Sequence, residues 1–524
     1  MTSSTATSNS YDVVLYPGNP YRESHPDHLA TVARLFGLEA PLVDGCRVLE
    51  IGCACGANLI PMAVSVPTAR FVGIDLSQRQ INEATQTVTA LGLTNIELRH
   101  GSVTEIGPDD GLFDYIICHG VFSWVPQTVR EHVLSVCSRN LSPGGVAYIS
   151  YNTYPGWFMR GMVRRMMGFH AKRFVEPAAQ LEQARALLDF LAASCTGGDP
   201  AYQALLTREL DILRQCNDSY LFHEHLEDVN EPMFFHEFVE QASRHQLRYL
   251  AEPYLREMVA VNIDPKIIEV LQKLGANIVH FEQYLDFLRN RTFRRTLLCH
   301  ADQVPRRDIG PDQMRHFRVT SLLKRRNPEG TIADDSPWEF TRGGQSVGVS
   351  NPIHKATLWC LEQAGLPGLW CGEIVQRAIE ALADCDTVRP PAVEGEIRDL
   401  VLQLHVQGLL ELAINPPRFV SEISERPIAS SLARRQAAAG QVVTNLRHEQ
   451  VKLEPLDREL IRRLDGCHDR TELIEFLGDA LRTGEMTISN TAGPLPPDEQ
   501  TSALLSGILD HGLNSLAAQG LLRA

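Results

Sequence analysis

The chain has 524 residues, of which 44% are hydrophobic and 22% charged, an ordinary globular composition with room for roughly two to four domains. A net charge of −15 argues against DNA or RNA as a substrate, because proteins that modify nucleic acid carry a basic footprint. No stretch approaches the roughly 18 apolar residues of a membrane span, the N-terminus lacks a signal peptide's basic start and apolar core, and the twelve cysteines have no framework spacing, so a cytoplasmic protein with reduced thiols and no membrane insertion is expected.

Met1–Ser10 reads as a disordered tail. Tyr11–Tyr21 is aromatic and proline-rich, too rigid for a tail and too broken for a helix. It is expected to fold as a flap over a ligand or, more plainly, as an arm packed on the sheet. Ser24-His-Pro-Asp27 then offers a capping hydroxyl, a first-turn proline and an acid, so a helix should start there with Ser24 as its cap.

From Cys46 to Ile149 apolar runs alternate with helical patterns. Strands are expected at 46–51, 70–75, 95–100, 113–118 and 144–151, and helices at 57–66, 77–91 and 127–140. Such alternation implies a parallel sheet covered on both faces, with ligands over the carboxyl ends of its strands.

The first strand runs into Glu50-Ile-Gly52-Cys-Ala-Cys-Gly56-Ala-Asn58, a glycine-punctuated turn that lets backbone N–H groups approach a ligand. The turn lacks the last glycine of a dinucleotide fingerprint, and no Gly-Lys-Ser/Thr follows. Glu50 would repel a pyrophosphate but receive a cation. The second strand ends in Asp75, where a carboxylate takes both hydroxyls of a ribose. A ribose without phosphates and an amino acid near Glu50 together describe S-adenosylmethionine. Cys53 and Cys55 have no second pair at ligand spacing, so no metal is expected there.

Glu50-x-Gly52-x-Ala54-x-Gly56, Gly73-Ile-Asp75-Leu-Ser77, Phe113-Asp-Tyr-Ile-Ile117 and Leu141-Ser-Pro-Gly-Gly145 resemble the strand-end motifs of class I methyltransferases. Cys118-His-Gly-Val-Phe-Ser-Trp-Val-Pro126, Ser150-Tyr-Asn-Thr-Tyr-Pro-Gly-Trp157, Tyr220-Leu-Phe-His-Glu-His-Leu226 and Glu282-Gln-Tyr-Leu-Asp-Phe-Leu288 narrow the likeness. They resemble bacterial methyltransferases with a methyltransferase regulatory domain, a group that includes the rickettsial-type protein-lysine methyltransferases. The resemblance implies a Rossmann-like α/β fold: a seven-stranded, mostly parallel sheet with helices on both faces, a helical insertion, and C-terminal winged-helix-like α+β modules. It also implies cofactor contacts from Tyr16, Glu50, Gly52, Cys53, Gly56, Asn58, Asp75, Leu76, Gln80, Gly101, Ser102, Val103 and His119. Relatives carry an acid near Ser102 for the adenine amino group, and the serine would accept that bond more weakly.

Tyr154–Glu176 is aromatic, methionine-rich and basic, either a lid for an acidic or apolar substrate or a helix packed on the sheet. Residues 177–217 look helical, broken at Gly197-Gly-Asp-Pro200. Strands at 247–252 and 292–299 are expected to complete the catalytic sheet. His223-Glu-His225 lacks a third ligand and reads as structural.

Residues 303–350 read as a linker with some strand content. Beyond it, Ile353–Leu412 and Leu456–Leu522 each run through three helices and end in Gln-Gly-Leu-Leu, an internal repeat expected to form two winged-helix-like modules. The domains expected are thus 1–302 for methyl transfer (lid insertion about 155–219, regulatory segment about 218–300), 351–415 and 416–524.

Methyl transfer needs a positioned, unprotonated nucleophile in a dry slot rather than a triad. Tyr151, Asn152, Tyr154 and Trp157, past the fifth strand, are the expected substrate-site residues, with His119 and Trp124 past the fourth. The expected activity is methylation of a protein side chain, lysine first. The alternatives are a small-molecule or natural-product methyltransferase and a non-catalytic cofactor-binding interaction protein.

Overall fold

The structure, a computed structural model, describes residues 12, 14–16, 18–195, 198–259, 263–327, 329–334, 336–383, 390–420, 422–483, 489–490, 493–494 and 499–523. The expected tail Met1–Ser10, parts of the expected flap (Tyr11, Val13, Pro17) and Gly197 of the expected break lie outside them. The chain divides into two compact units, one formed by residues within 1–19, 32–63 and 68–306, the other by residues within 20–31, 64–67 and 307–524.

The first unit is built on a seven-stranded sheet in the order β3-β2-β1-β4-β5-β7-β6. Strands β1 (Arg47–Ile51), β2 (Arg70–Asp75), β3 (Ile96–His100), β4 (Phe113–Cys118) and β5 (Leu141–Asn152) run parallel. The middle residues of β1, β2, β4 and β5 are mostly apolar because such strands are buried on both faces, whereas β3, at the sheet edge, is only partly buried. β6 (Leu247–Ala251) and β7 (Phe293–His300) complete the sheet as expected, with β7 antiparallel to both β5 and β6. Leu49, Ile51, Ile116, Ile149 and Tyr151 pack with residues of the flanking helices into one core cluster.

Helix α1 (Pro26–Leu35) precedes β1, and α2 (Leu59–Ser65), α3 (Gln78–Leu91) and α4 (Gln127–Arg139) lie between the parallel strands. The insertion after β5 consists of α5 (Gly156–Ala171), α6 (Pro177–Ser194), α7 (Pro200–Gln215) and α8 (Asp218–His225), which share a cluster of their own around Val163, Met167, Leu188 and Leu206. α9 (Phe235–Arg244), α10 (Leu255–Met258), α11 (Pro265–Leu274) and α12 (Ile278–Arg289) frame β6 and β7.

Arg294 on β7 is fully buried. Its guanidinium meets Glu252 at 2.7 Å, Glu282 at 3.0 Å and Asp286 at 2.8 Å, and it lies 3.7 Å over the Phe235 ring. These bonds tie the last two strands to α12. Breaking a buried ionic cluster by removing one partner costs about 3–5 kcal/mol.

Ser24 does not cap α1 as the sequence indicates. It sits in a preceding 3₁₀ turn with its hydroxyl on the Tyr21 carbonyl, and the His25 ring Nδ1 accepts the Asp27 N–H instead.

In the second unit Arg318–Ser321 lies between Leu369–Trp370 and Leu410–Ala413 in a three-stranded antiparallel sheet, so part of the expected linker supplies its central strand. The repeat has a structural basis. Gly408 (φ +78°) and Gly520 (φ +69°) are left-handed residues that end the helices Pro390–Val406 and Glu499–Ala518. Leu409 and Leu521 close each cap by donating to Leu404 O and Leu516 O. The leucines after each glycine are buried.

Candidate active site

Glycine fixes the turn after β1. Gly52 has φ +76°, and a Cβ there would lie 2.3 Å from Val121 Cγ2. At Gly56, φ +72°, it would lie 2.9 Å from Ile60 Cδ1. Both positions need a backbone that side chains rarely adopt and space that a side chain would take. The turn is pinned to β2 by Gly52 and Cys53, whose N–H groups donate to Ile74 O at 2.8 and 3.2 Å. A Cβ on Gly73 would lie 2.7 Å from Cys53 Sγ, so β2 makes room for a buried thiol, which packing alone explains.

Glu50 is only 3% exposed. Its Oε1 accepts from Asn58 Nδ2 at 2.7 Å, while Oε2 is buried without a hydrogen-bond partner. Burial pushes its carboxyl up to about 8, with the Asp75 charge adding to the rise and the Asn58 bond opposing it. An acceptor left unsatisfied at such a cost points to a cationic ligand.

Asp75, at the end of β2, accepts Ala54 N–H at 2.9 Å and Ser77 N–H at 2.8 Å, one on each oxygen. Burial still raises its carboxyl above the usual range. The next residue, Leu76, is 56% exposed, an apolar surface beside the acid. Ser77 caps α3 by accepting Gln80 N–H at 3.2 Å, and Gln80 Oε1 is a second buried acceptor without a partner.

Beyond β3, Gly101 donates to Asp75 O at 2.9 Å. Ser102 is the cap of the 3₁₀ turn Val103–Glu105: its Oγ accepts Thr104 N–H and its own N–H goes to Glu105. Val103 is buried in the core cluster.

The N-terminal segment is fastened at both ends of this row. Asp12 accepts the Ser77 hydroxyl at 2.6 Å and Arg79 N–H at 3.3 Å. Val14 O meets His223 Nε2 at 2.7 Å, and the Ser219 hydroxyl donates to Leu15 O. The Tyr16 ring lies 5.6 Å from that of His223. Past Tyr16, a Cβ on Gly18 would come 2.5 Å from Ala57 Cβ and 2.8 Å from Cys55 Sγ. The segment therefore passes directly over the glycine turn.

After β4, His119 stacks on Tyr148, with Nδ1 and the phenol oxygen 2.8 Å apart, and has Phe293 at its edge. After β5 the expected residues separate. Trp157, in the first turn of α5, is 2% exposed with Nε1 unpartnered and stands edge-on to Trp124 at 6.4 Å. Tyr154 stacks on the exposed Phe158 at 4.1 Å. The Asn152 N–H donates to Ser123 Oγ and its Nδ2 to Asn230. Tyr151 is not brought to the others: it is buried in the core, stacked on Phe238 at 4.2 Å with its hydroxyl on Thr296, because successive strand residues face opposite sides.

The sequence assigns no individual site role to Asp12, Tyr220 or Glu224, and Arg160 reads there only as one of the arginines of the basic Tyr154–Glu176 stretch. Glu224 was visible in His223-Glu-His225 but was weighed only as metal spacing. Among the described residues no group of three or more His, Cys, Asp or Glu side chains could hold a metal, and no helix is long and apolar enough to cross a membrane.

Three family models match the chain: "Methyltransferase domain" over residues 48–145, "Predicted methyltransferase regulatory domain" over 217–300, and "PKMT, C-terminal winged helix domain" over 425–521. The chain is 36% identical to the uncharacterized protein RP789 of Rickettsia prowazekii, across 99% of this chain and 95% of that protein. It is 37% identical to RP028 of the same organism, across 46% of this chain and 96% of that protein. Among solved structures it resembles PKMT2 from Rickettsia typhi in complex with AdoHcy, with a TM-score of 0.88 and 29% identity, covering 97% of this chain and 99% of that one.

Proposed function

On the premise that this chain belongs to the S-adenosylmethionine-dependent methyltransferases that carry a regulatory segment and a PKMT winged-helix domain, we propose that its acceptor is a protein and the acceptor group a lysine amine. Bound at the site, S-adenosylmethionine supplies an activated methyl group.

The residues present fit that molecule. Glu50 Oε2, a buried acceptor without a partner, takes the cofactor's ammonium. Gly52, Cys53 and Gly56 bring backbone close to its amino-acid end, and Asn58 holds Glu50 in place. Asp75 takes the ribose hydroxyls. Leu76 and Val103 flank the adenine, with Gly101, Ser102 and Gln80 at its rim. Tyr16 and His119 close the site from the N-terminal segment and β4.

A lysine acceptor must lose a proton. At neutral pH that costs about 3.4 pKa units, or about 4.6 kcal/mol, from an unperturbed value near 10.4. Trp124 and Trp157 at the ends of β4 and β5 supply apolar walls that favour the neutral amine. The observation that carries the reading is the likeness to PKMT2 over nearly the whole chain, its second unit included.

The test is incubation of the pure protein with methyl-labelled cofactor and fractionated lysate, followed by hydrolysis. Label in methyl-lysine from the protein fraction is expected; label confined to small molecules overturns the reading.

A further inference from the structure

Helix α8 divides its side chains between two neighbours. His223 faces the N-terminal segment, whereas Tyr220 and Glu224, one turn apart on one face, meet α5. On α5 the Arg160 guanidinium carbon lies 5.8 Å from the ring centre of Trp157, and that of Arg164 lies 5.5 Å from that of Trp124. The two tryptophans leave β5 and β4, so the cluster stands at the carboxyl ends of adjacent strands, where such sheets bind their ligands.

The hydrogen bonds of this cluster do not balance. Arg164 donates to the carbonyls of Glu224 and Glu227. The Arg160 guanidinium faces the Tyr220 hydroxyl and lies 3.9 Å from Glu209 Oε2. Among the described residues no donor bonds the Glu224 carboxylate. Glu209 Oε2 and His225 Nδ1, both buried, have no hydrogen bond either. Burial, then the two arginines, lower His225 to about 3, so its ring is neutral. Arg164 is committed to two carbonyls, Glu209 Oε2 and His225 Nδ1 still accept nothing, and a cationic group with several N–H donors would supply what these acceptors lack.

Resting on the lysine reading above, we propose that the Tyr220–Glu224 face of α8, walled by Trp124 and Trp157, receives the acceptor ammonium, and that Glu224 takes its proton. An anionic ligand fits less well, because it would place more acceptors against acceptors.

The transfer balances. One N–H proton passes to a Glu224 oxygen, and the freed nitrogen pair forms the bond to the sulfonium methyl carbon. The C–S pair leaves with the sulfur, and a methylammonium faces a neutral Glu224 carboxyl. Burial lifts Glu224 to about 7 against the pull of Arg160 and Arg164, which places this base near neutrality.

The full-length protein, Glu224→Gln, Glu224→Asp and Tyr220→Phe are compared for methylation of the protein fraction of a bacterial lysate across pH, with AdoHcy affinity measured on each by calorimetry. The wild-type rate should rise with pH through about 7. Glu224→Gln should lose that rise and at least about 100-fold in kcat. Glu224→Asp should keep the rise at a lower rate, Tyr220→Phe should fall between, and AdoHcy affinity should be unchanged throughout. A Glu224→Gln enzyme that keeps the wild-type kcat and pH profile overturns this assignment alone, as does one that loses AdoHcy affinity in step with activity. A wild-type enzyme that labels no lysine overturns the acceptor reading and this assignment together.

Discussion

Replacing Glu50 by Gln tests the cofactor site most sharply, because the effect must depend on pH. In the free protein Glu50 titrates near 8, so at lower pH it has to ionise before it can pair with the cofactor's ammonium. At pH 6.5 that ionisation costs about 2 kcal/mol, since each pKa unit is worth about 1.4 kcal/mol, and at pH 8.5 it costs almost nothing. A buried charge-assisted bond is worth about 3 kcal/mol. Glu50→Gln should therefore weaken AdoHcy binding about 100-fold at pH 8.5 but only about fivefold at pH 6.5. Calorimetry in buffers of different ionisation enthalpy should detect close to one proton released per AdoHcy by the wild type at pH 6.5, and none by the variant.

Stability supplies the matching sign. Between 4.5 and about 8 the folded carboxyl is protonated and the unfolded one ionised. The folded state thus binds more protons, and the wild-type protein loses stability as pH rises through that window. The variant lacks this loss, so its advantage in melting temperature should grow with pH. An affinity ratio that is the same at pH 6.5 and 8.5 would refute the assignment of Glu50 as the ammonium acceptor.

Asp75→Ala should weaken AdoHcy by roughly 1.5–3 kcal/mol for each ribose bond lost, and unchanged affinity by calorimetry would remove it from the cofactor site. Trp157→Phe keeps an aromatic ring and avoids the about 3–5 kcal/mol of a truncation to alanine in a core. It should lower kcat about 10- to 100-fold at unchanged AdoHcy affinity, and a loss of affinity instead would move Trp157 out of the acceptor slot. Gly18→Ala places a Cβ 2.5 Å from Ala57 Cβ, an overpacking of about 1–3 kcal/mol that should be felt as weaker AdoHcy binding. A lower melting temperature with intact affinity would show that the segment over the glycine turn does not close on the cofactor.

What the amino-acid sequence determined by itself was local. The strands of the parallel half were legible because burial on both faces leaves continuous apolar runs, and the turn at Gly52 and Gly56 because only glycine takes that backbone with that little space. The paired Gln-Gly-Leu-Leu strings were legible for the same reason, as helix ends that need a left-handed residue. Ser102-x-x-Glu105 carried a capping signal that explains why the serine is occupied in its own turn.

What only the tertiary structure decided was which distant groups meet. Alternation placed Tyr151 and Asn152 on opposite sides of β5, but the packing of α9 made the tyrosine's side the core. Nothing near Arg294 announces that acids at 252, 282 and 286 converge on it, nor does Asp12 announce Ser77. Backbone geometry and hydrophobic period act over a few residues and leave their mark in the local string. Charge pairing and unsatisfied acceptors such as Glu50 Oε2 and Glu209 Oε2 exist only once segments far apart in the chain have been packed out of water.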